Sequence, residues 1–323
     1  MSKKVETIGV LTSGGDAPGM NAAIRSVVRI ATARGLKVMG IRRGYNGLIT
    51  GDIFPMDRRS VSDIIQRGGT MLQTARCLEF LQPEGQQRGA EICKVFGIDG
   101  LVVIGGDGSF KGAEKLADLG INTIAIPGTI DLDIACTDYT IGFDTAVNTA
   151  MDAINKIRDT STSHERCSII EVMGRRAGYI ALWCALNSGA ELALIPEKPI
   201  LSDEDIVRMI LENKQRGKKH FLIVAAEGVG GLDKLAKTIE QITGMETRAS
   251  ILGHLQRGGS PTAVDRMHAS MMGSHAVELL ISGKAGRVVA YKDGKYTDYD
   301  ISEALAMTKT LDEKMYEVSR LLS

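Results

Sequence analysis

The sequence is poor in aromatic residues, has no long hydrophobic run and carries no net charge. Aromatic residues make up 4% of the 323 residues, and the formal net charge is zero at pH 7. A chain without a basic face or tail is not typical of general nucleic-acid binding or of a membrane-surface role. No apolar run approaches the roughly 20 residues that a membrane span needs, and the N-terminal segment lacks the apolar core of a signal peptide. We therefore expect a cytoplasmic protein with neither nucleic acid nor membrane as a partner.

Cysteine is scarce and dispersed. The five cysteines are odd in number and form no C-x-x-C pair; they are Cys77, Cys93, Cys136, Cys167 and Cys184. This pattern favours reduced thiols and provides no structural zinc motif. Glycine, in contrast, is abundant with 37 residues, many of which follow strand-like segments. Glycine at such a position lets the backbone turn tightly and approach a ligand closely.

Segments with the pattern of buried strands alternate with helix-like segments along nearly the whole chain. The predicted strands cover residues 7–11, 37–41, 101–104, 123–126, 168–172, 191–195, 221–225 and 287–290, and the predicted helices cover residues 21–34, 144–159, 177–186, 203–216 and 261–282. This alternation predicts an α/β fold with parallel sheets and right-handed crossovers. The chain is long enough for two domains, and we place a break near residue 142.

The most informative segment is Gly105-Gly106-Asp107-Gly108-Ser109, which follows the apolar run 101–104. Open α/β sheets bind their ligands at the carboxyl ends of the strands. Glycines there expose backbone N–H groups to phosphate oxygens, and an aspartate among them is an oxygen ligand suited to Mg²⁺. The alternative is that Asp107 or Ser109 caps a helix. We favour a metal-phosphate site, because capping explains the surrounding glycines less well.

A second Gly-Gly-Asp loop, at residues 12–21, leads from the first predicted strand into a helix. The positive end of that helix favours a phosphate group. The loop is not a P-loop, because no Gly-Lys-Ser/Thr follows, and it lacks the glycine spacing of the dinucleotide fingerprint. The alternative is a tight turn with Ser13 or Asn21 as the helix cap. The two glycine loops could line one cleft from separate strands.

A third loop holds two carboxylates on either side of a leucine, Asp131-Leu132-Asp133. In an extended segment both carboxylates would face one side and the leucine the other. One could then accept a hydroxyl proton while its neighbour adjusts the site or holds metal-bound water. The alternative is an aspartate-rich turn. Taken together, the three loops predict phosphoryl transfer.

Several arginines occur where an anion could be held. Arg76, Arg175 and Arg257 follow or lie within turn-like segments, and the last two have glycine neighbours. Arginine suits bidentate phosphate recognition and can stabilise a transferring phosphoryl group. A further pair, Arg25 and Arg29, shares one face of the first helix. From spacing alone, we interpret that face as solvated.

The combined motifs LTSGGDAPGMNAAIR, IGGDGS, PGTID-x-D, IRDT, EVMGRRAG, AAEG and ILGHLQRGGSPTA closely resemble those of the bacterial ATP-dependent 6-phosphofructokinase family, type A. The resemblance is collinear over almost the whole chain. It implies two Rossmann-like α/β/α domains with mainly parallel sheets and an active site in the cleft between them. The implied ATP-binding large domain comprises residues 1–142 and 257–311. The implied fructose 6-phosphate-binding small domain comprises residues 143–256 and 312–323.

The resemblance also implies a reaction. ATP would phosphorylate the 1-hydroxyl of fructose 6-phosphate to give fructose 1,6-bisphosphate and ADP, a committed step of glycolysis. Asp131 matches the general base, Asp107 matches the carboxylate associated with Mg²⁺, and Asp133 lies in the same acidic centre. The groups that support charge on the transferring phosphoryl match Thr129, Arg76 and Arg175.

The remaining implied site residues form three sets. Positions that contact ATP are Gly15, Arg76, Cys77, Gly106, Asp107, Gly108 and Ser109. Positions that contact fructose 6-phosphate are Thr129, Asp131, Arg166, Met173, Gly174, Arg175, Glu227, Arg248, His254 and Arg257. Positions of an effector site for ADP or phosphoenolpyruvate are Arg25, Arg29, Arg58, Asp63, Arg158, Glu191, Arg216 and Lys218. Since Arg166 and Arg248 come from a neighbouring subunit in the family, the resemblance implies a homo-oligomer, typically a tetramer, with active and effector sites at its interfaces.

Four positions distinguish this chain within the superfamily. Pyrophosphate-using relatives carry an acidic residue at the position of Gly108 and a lysine at that of Gly128, so glycine at both favours ATP. The family usually has asparagine where this chain has Leu132, and often an aromatic residue where it has Cys77. Because both carboxylates remain, we expect activity to be retained. We expect adenine stacking to be weaker or supplied elsewhere.

Two other functions remain open at this point. One is a phosphotransferase of the same superfamily that uses another donor or another sugar phosphate. The other is a nucleotide-sensing homologue without catalysis, which only Leu132 supports and which Asp107 and Asp131 disfavour. A nicotinamide oxidoreductase is disfavoured because no G-x-G-x-x-G follows the first strand.

Overall fold

In the computed structural model, which describes residues 5–199 and 201–323, the chain forms two compact units. The first unit contains the chain up to Ile130, Ile134–Thr145 and Arg257–Lys309, and the second contains Asp131–Asp133, Ala146–Gln256 and Thr310–Ser323. Apart from Asp131–Asp133, the changes of unit follow Thr145, Gln256 and Lys309; the domain bounds implied by the resemblance follow residues 142, 256 and 311. Which ligand each unit binds stays a prediction.

The first unit is built on a seven-stranded sheet. Its strands are β1 (Thr7–Thr12), β2 (Lys37–Ile41), β3 (Ile53–Met56), β4 (Gly100–Gly105), β5 (Asn122–Pro127), β10 (Arg287–Lys292) and β11 (Lys295–Asp300). They lie in the order β11-β10-β5-β4-β1-β2-β3, and the central pairs are parallel. The outer strands β3 and β11 run antiparallel to their neighbours. Strands buried on both faces need continuous apolar sequences, which explains the apolar runs of β4 and β5.

Two groups of helices cover this sheet. One group is α1 (Met20–Ala33) and α9 (Ala263–Ile281), which pack together. The other is α2 (Gly44–Thr50), α3 (Pro83–Val95), α4 (Asp107–Asp118) and α10 (Ile301–Ala306). Leu101 and Val103 of β4 share a core with Phe110 of α4, so the alternate residues of that strand face the first group. The sheet therefore lies between two helical layers.

The second unit is built on a four-stranded, fully parallel sheet. Its strands are β6 (Cys167–Val172), β7 (Leu192–Leu194), β8 (Phe221–Ala226) and β9 (Thr247–Ile251), in the order β7-β8-β6-β9. Its helices are α5 (Phe143–His164), α6 (Tyr179–Ser188), α7 (Asp203–Gln215), α8 (Leu232–Thr243) and α11 (Glu313–Leu321). Helices α7 and α8 share a core with β6 and β8, while α6 contacts the sheet and α11 packs against α6.

The predicted fold class is confirmed. Each predicted strand and helix is present, with ends that differ by a few residues; the strand predicted at 191–195 is shorter, at Leu192–Leu194. The sequence analysis did not predict β3, β9, β11, α2, α3, α4, α8, α10 or α11. Among the described residues, none of the helices is long and apolar enough to cross a membrane.

All five cysteines are free thiols, and four of them are buried. Burial raises the pKa of Cys93, Cys167 and Cys184 to about 12 and that of Cys136 to about 11. These four side chains serve as small apolar core residues.

Two glycines of α4 should respond in opposite directions to the same substitution. A Cβ at Gly112 would lie 2.6 Å from the Tyr45 ring, whereas a Cβ at Gly108 would have no neighbour within 4 Å in the described part of the chain. Alanine is favoured over glycine in a helix by about 0.5–1 kcal/mol, but overpacking costs about 1–3 kcal/mol. We expect Gly112→Ala to lower the unfolding temperature and Gly108→Ala to leave it equal or higher. Calorimetry of the two variants tests this, and equal shifts would contradict the packing at Gly112.

Candidate active site

Three loops leave the first sheet side by side, from the carboxyl ends of β1, β4 and β5. The backbone N–H of Ser13 donates to the carbonyl of Ile104 at 2.9 Å, and that of Gly128 donates to the carbonyl of Gly105 at 2.9 Å. Since β4 pairs in parallel with both β1 and β5, its loop lies between the other two. The two Gly-Gly-Asp loops are therefore neighbours within one unit.

The glycine loops pack too closely to accept side chains at the turn. A Cβ at Gly105 would lie 2.4 Å from both the Ser13 carbonyl oxygen and Ser109 Oγ. Gly14 has a positive φ of 85°, and a Cβ there would lie 3.5 Å from Ser109 Oγ. Gly105 is buried and lets the two loops pack together, whereas Gly14 is exposed and leaves its backbone open to phosphate oxygens. Together they form a small cradle.

The alternative interpretation of these loops as side-chain caps is wrong. Gly106 is the N-cap of α4 and Gly19 that of α1, and neither helix has a side-chain cap in the described structure. Asn21 instead holds another loop: its amide donates to the carbonyls of Arg67 and Gly68, and its Oδ1 accepts from the N–H of Met71 at 2.7 Å. Asp107 lies exposed in the first turn of α4, where the helix end favours negative ligands.

The segment that carries Arg76 and Cys77 is bonded to the first loop. Thr12 Oγ1 donates to the carbonyl of Gln73 at 2.9 Å, and Thr74 Oγ1 donates to the carbonyl of Gly14 at 2.7 Å. Arg76 is exposed and Cys77 is half-buried. The structure therefore brings these two predicted ATP contacts beside Gly14 and Gly15.

Arg257 lies on the first loop. The Arg257 Nη1 donates to the carbonyl of Asp16 at 2.9 Å. A Cβ at Gly15 would lie 2.6 Å from the same Arg257 Nη1. Glycine at position 15 therefore makes room for the guanidinium. The structure places this predicted sugar-phosphate contact beside the first glycine loop of its own unit.

Tyr45 is a site residue that the sequence analysis missed. Its hydroxyl donates to the carbonyl of Ser109 at 2.6 Å, and its ring stacks on Phe80 at 4.1 Å between centroids. The ring also occupies the space over Gly112. The glycine at position 112 indicates that another group packs closely against α4. Tyr45 could not be identified as that group because α2, which carries it, was not predicted.

The loop after β5 bends, and the expectation that its two carboxylates alternate along an extended segment is wrong. Leu132 has a φ of 56°, in the left-handed region, and its side chain is buried at 6% exposure. Asp131 is 2% exposed, and Asp133 is half-buried. A positive φ suits asparagine or glycine and is unfavourable for leucine, which gives the asparagine of the family a physical reason. Thr129 lies next to Gly106, where a Cβ would approach the Thr129 Cβ to 3.9 Å.

In the second unit, Met173, Gly174 and Arg175 form a tight turn after β6. The N–H of Arg175 donates to Glu227 Oε1 at 2.6 Å, and the N–H of Ala177 donates to the carbonyl of Gly174 at 2.9 Å. Gly174 has a φ of 138°, and a Cβ there would lie 2.3 Å from the Ala177 carbonyl oxygen. The carboxylate of Glu227 thus fixes the turn that presents Arg175.

Gln256 is a second residue that the sequence analysis missed. It is fully buried, its Oε1 accepts from the N–H of Met173 at 3.3 Å, and its Nε2 donates to the carbonyl of Gly253 at 3.1 Å. It therefore links the turn at Met173 to the short 3₁₀ turn Gly253–Arg257, which carries His254. His254 itself is exposed.

Arg166 and Arg248 share one carboxylate of the second unit. Arg166 Nε and Arg248 Nη2 lie 2.6 and 3.2 Å from the two oxygens of Glu246. The hydrogen bond from Arg166, and then the charges of both arginines, lower the pKa of Glu246. Glu246 therefore stays ionised and holds the two guanidinium groups near each other.

The predicted effector residues divide between the units. In the first unit Arg25 and Arg29 lie on α1, and Arg58 and Asp63 are exposed; burial and then the charge of Arg29 lower the pKa of Arg25. In the second unit Lys218 pairs with Glu191, Arg158 donates to the carbonyl of Ser188, and Arg216 is exposed. The Nε atoms of Arg29 and Arg158 are buried without a hydrogen-bond partner among the described residues. A buried donor of this kind favours an anionic ligand that supplies the acceptor.

A metal site formed by protein side chains alone is not found within residues 5–199 and 201–323: no three His, Cys, Asp or Glu side chains are grouped to hold an ion. Magnesium in phosphoryl-transfer sites usually takes one or two carboxylates, with substrate phosphates and waters as its other ligands. Asp107, exposed at the glycine cradle, fits that donor set.

Comparisons with known proteins agree on one family. The phosphofructokinase family model matches residues 7–280. The chain is 63% identical over 319 residues to an ATP-dependent 6-phosphofructokinase of Clostridium botulinum, covering 99% of this chain and 100% of that one. A phosphofructokinase structure from Saccharomyces cerevisiae has a TM-score of 0.88 and 30% identity and covers 98% of this chain, which spans about half (48%) of the yeast chain. A pyrophosphate-dependent phosphofructokinase from Marinobacter aquaeolei has a TM-score of 0.86 and covers 98% of this chain and 91% of its own, but at 22% identity it shows the fold alone.

The backbone at Leu132 leads to a test with two matched truncations. At an ordinary position glycine is less stable than alanine by about 0.5–1 kcal/mol, whereas a left-handed residue costs alanine about 1–2 kcal/mol that glycine avoids. We therefore expect Leu132→Gly to be at least as stable as Leu132→Ala. Thermal unfolding of both variants measures this; a Gly variant clearly less stable than the Ala variant would contradict a left-handed backbone at position 132.

Proposed function

This chain belongs to the phosphofructokinase family, and on that premise we propose that it transfers the γ-phosphoryl group of ATP to the 1-hydroxyl of fructose 6-phosphate. The products are ADP and fructose 1,6-bisphosphate, and the step belongs to glycolysis in the cytoplasm. The observation that carries the proposal is the adjacent pair of Gly-Gly-Asp loops at the ends of β1 and β4. The 63% identity to a relative named for ATP dependence supports the choice of donor.

The first unit holds the groups suited to the nucleotide. The backbone of Gly14, Gly15 and Gly108 is exposed at these loops, where phosphates can approach, and Arg76 adds a positive charge nearby. A Cβ at Gly108 would find open space, which leaves room for a donor larger than pyrophosphate. Asp107 would hold Mg²⁺, which when bound neutralises charge on the donor phosphates.

Asp131 acts as the general base. As the sugar oxygen forms its bond to the γ-phosphorus and the bond to the leaving ADP oxygen breaks, the carboxylate accepts the hydroxyl proton. Asp133 lies two residues away and sets the electrostatics of the same centre. Thr129, Arg76 and Arg175 stabilise the charge on the transferring phosphoryl group, and the turn held by Glu227 fixes the direction of Arg175.

The acceptor is bound by the second unit's turn residues Met173, Gly174 and Arg175, with Glu227 and His254, and by Arg257 of the first unit. Arg166 and Arg248, held together on Glu246, form a basic pair suited to the sugar 6-phosphate. We place this pair in the site of a neighbouring copy, so the active enzyme is a homo-oligomer, in keeping with a tetramer.

The effector set binds ADP or phosphoenolpyruvate. The Nε atoms of Arg29 and Arg158, buried with no hydrogen-bond partner in the described part of the chain, support this proposal over the solvated helix face that spacing alone favours. A ligand phosphate or carboxylate would supply the acceptors. The other proposed members of the set are Arg25, Arg58, Asp63, Glu191, Arg216 and Lys218.

Replacing the base tests the reaction. We expect Asp131→Ser to lower kcat by at least about a hundredfold, the scale of general acid–base catalysis, with the KM values for both substrates changed little. A coupled assay with ATP and fructose 6-phosphate measures this, and Asp152→Ser, an exposed aspartate of α5, is the control. Unchanged turnover would contradict the role of Asp131, and faster turnover with pyrophosphate than with ATP would contradict the donor.

Replacing Arg29, whose Nε atom is buried, tests the effector site. We expect Arg29→Ala to reduce the effect of ADP or phosphoenolpyruvate on the half-saturating concentration of fructose 6-phosphate by about tenfold, within the usual range of allosteric coupling. Arg34→Ala, which loses an exposed arginine paired with Glu278 just after α1, should keep the full response. An unaltered response in Arg29→Ala would place the effector elsewhere.

A further inference from the structure

We propose that Asp265 is a positioning residue for phosphoryl transfer, and that it acts by fixing the loop that carries Asp131. This inference rests on the proposed role of Asp131 as the base. Asp265 lies in the first turn of α9, far along the chain from that loop, and belongs to none of the predicted site sets.

The carboxylate of Asp265 is fully buried and accepts four hydrogen bonds from a single segment. One oxygen accepts from Tyr139 Oη and from the N–H of Gly142, each at 2.6 Å. The other accepts from the N–H and the Oγ1 of Thr145, at 2.9 and 2.5 Å. Burial raises the pKa of Asp265 above its usual value, and these hydrogen bonds offset only part of that rise. A buried carboxylate is costly unless its lone pairs are satisfied, so the segment and the side chain depend on each other.

The bonded segment is the closing end of the loop after β5. Residue Ile141 pairs with Gly128, and its N–H donates to the carbonyl of Pro127 at 2.9 Å. Residues 129–140 therefore form a closed loop that contains Thr129, Asp131 and Asp133. Asp265 binds residues on both sides of the closing pair, at positions 139 and 142.

Other contacts hold the middle of this loop, and its end combines the Asp265 hydrogen bonds with packing, since Tyr139 also stacks on His268 at 3.9 Å between centroids. Thr137 Oγ1 accepts from the N–H of Tyr291 at 3.0 Å, and the N–H of Asp138 donates to the Tyr291 carbonyl at 2.8 Å. These contacts tie residues 137 and 138 to β10. Gly142, with a φ of 107°, packs so that a Cβ would lie 2.7 Å from Ala17.

The hydrogen bonds around Asp265 continue to a second segment of the proposed site. Thr262 Oγ1 donates to Asp144 Oδ2 at 2.6 Å, and the Thr262 N–H donates to Thr145 Oγ1 at 3.0 Å. Thr262 caps α9 and follows the glycine turn that carries Arg257. The first turns of α5 and α9 are thus hydrogen-bonded to each other. The loop that carries Asp131 and the turn that carries Arg257 therefore end next to each other.

The test compares two carboxylate-to-amide substitutions in the active enzyme. In Asp265→Asn, an NH₂ group replaces one oxygen and faces the backbone N–H of Gly142 or of Thr145, which cannot accept, so that hydrogen bond is lost and the end of the loop is loosened. Because misplacing a catalytic group by about 1 Å costs on the order of a hundredfold in rate, we expect kcat to fall at least about tenfold while the KM for ATP stays within about twofold. Asp298→Asn, which removes a largely buried carboxylate bonded to Arg287 in the same unit, should keep kcat within about twofold.

Hydrogen exchange provides a readout that does not depend on activity. Amides of residues 129–142 should exchange at least about tenfold faster in Asp265→Asn than in Asp298→Asn, because the loop opens more readily. If Asp265→Asn does not fold, Tyr139→Phe removes one of the four bonds, and we expect kcat to fall about threefold at unchanged ATP KM. If the parent enzyme is active and the folded Asp265→Asn variant has the same kcat, the inference is overturned. If Asp265→Asn does not fold, an unchanged kcat in Tyr139→Phe overturns it. If the parent enzyme does not phosphorylate fructose 6-phosphate, the proposed function is overturned. Unaltered hydrogen exchange of residues 129–142 in Asp265→Asn would also overturn the claim that Asp265 holds this loop.

Discussion

The parallel pairing of β4 with β1 on one side and β5 on the other determines where the chemistry can lie. Parallel strands end at the same edge of a sheet, so three loops from distant parts of the sequence leave the fold together. The N–H groups of Ser13 and Gly128 bond to the end of β4 and its loop, and no side chain fits at Gly105. The cradle is therefore a consequence of sheet topology, with glycine as the residue that permits it.

Polar side chains then fix what the backbone leaves open. Glu227 holds the turn of Arg175, Gln256 joins that turn to the 3₁₀ segment of His254, and Asp265 closes the loop of Asp131. Each is a buried or half-buried acceptor bonded to backbone N–H groups, which favour a defined geometry because an unpaired buried polar group is costly. Residues proposed to touch substrates thus depend on these acceptors, of which Gln256 and Asp265 belong to none of the proposed substrate contacts.

Much of this arrangement could be predicted from the sequence, and the failures have physical causes. Continuous apolar runs identified β1, β4, β5, β6 and β8, since buried parallel strands must be apolar on both faces. Helix α4 was not predicted because Gly108 and Gly112 weaken its helical pattern. Strand β9 was not predicted because it is short and most of its residues are only partly buried or exposed. The bend at Leu132 contradicts the usual conformation of leucine, so no local pattern could predict it. Glu227 was found through the family resemblance, whereas Tyr45, Gln256 and Asp265 act through contacts between elements distant in sequence.

The distribution of the thiols has a consequence for chemical reactivity. The thiolate is the nucleophilic form of cysteine, and four of the five thiols are both buried and shifted to a high pKa. Cys77 alone is half-buried, and it directly follows Arg76 beside the first glycine loop. Alkylating reagents in solution therefore meet Cys77 before the other thiols of the folded chain, so that thiol modification would begin beside the first glycine loop.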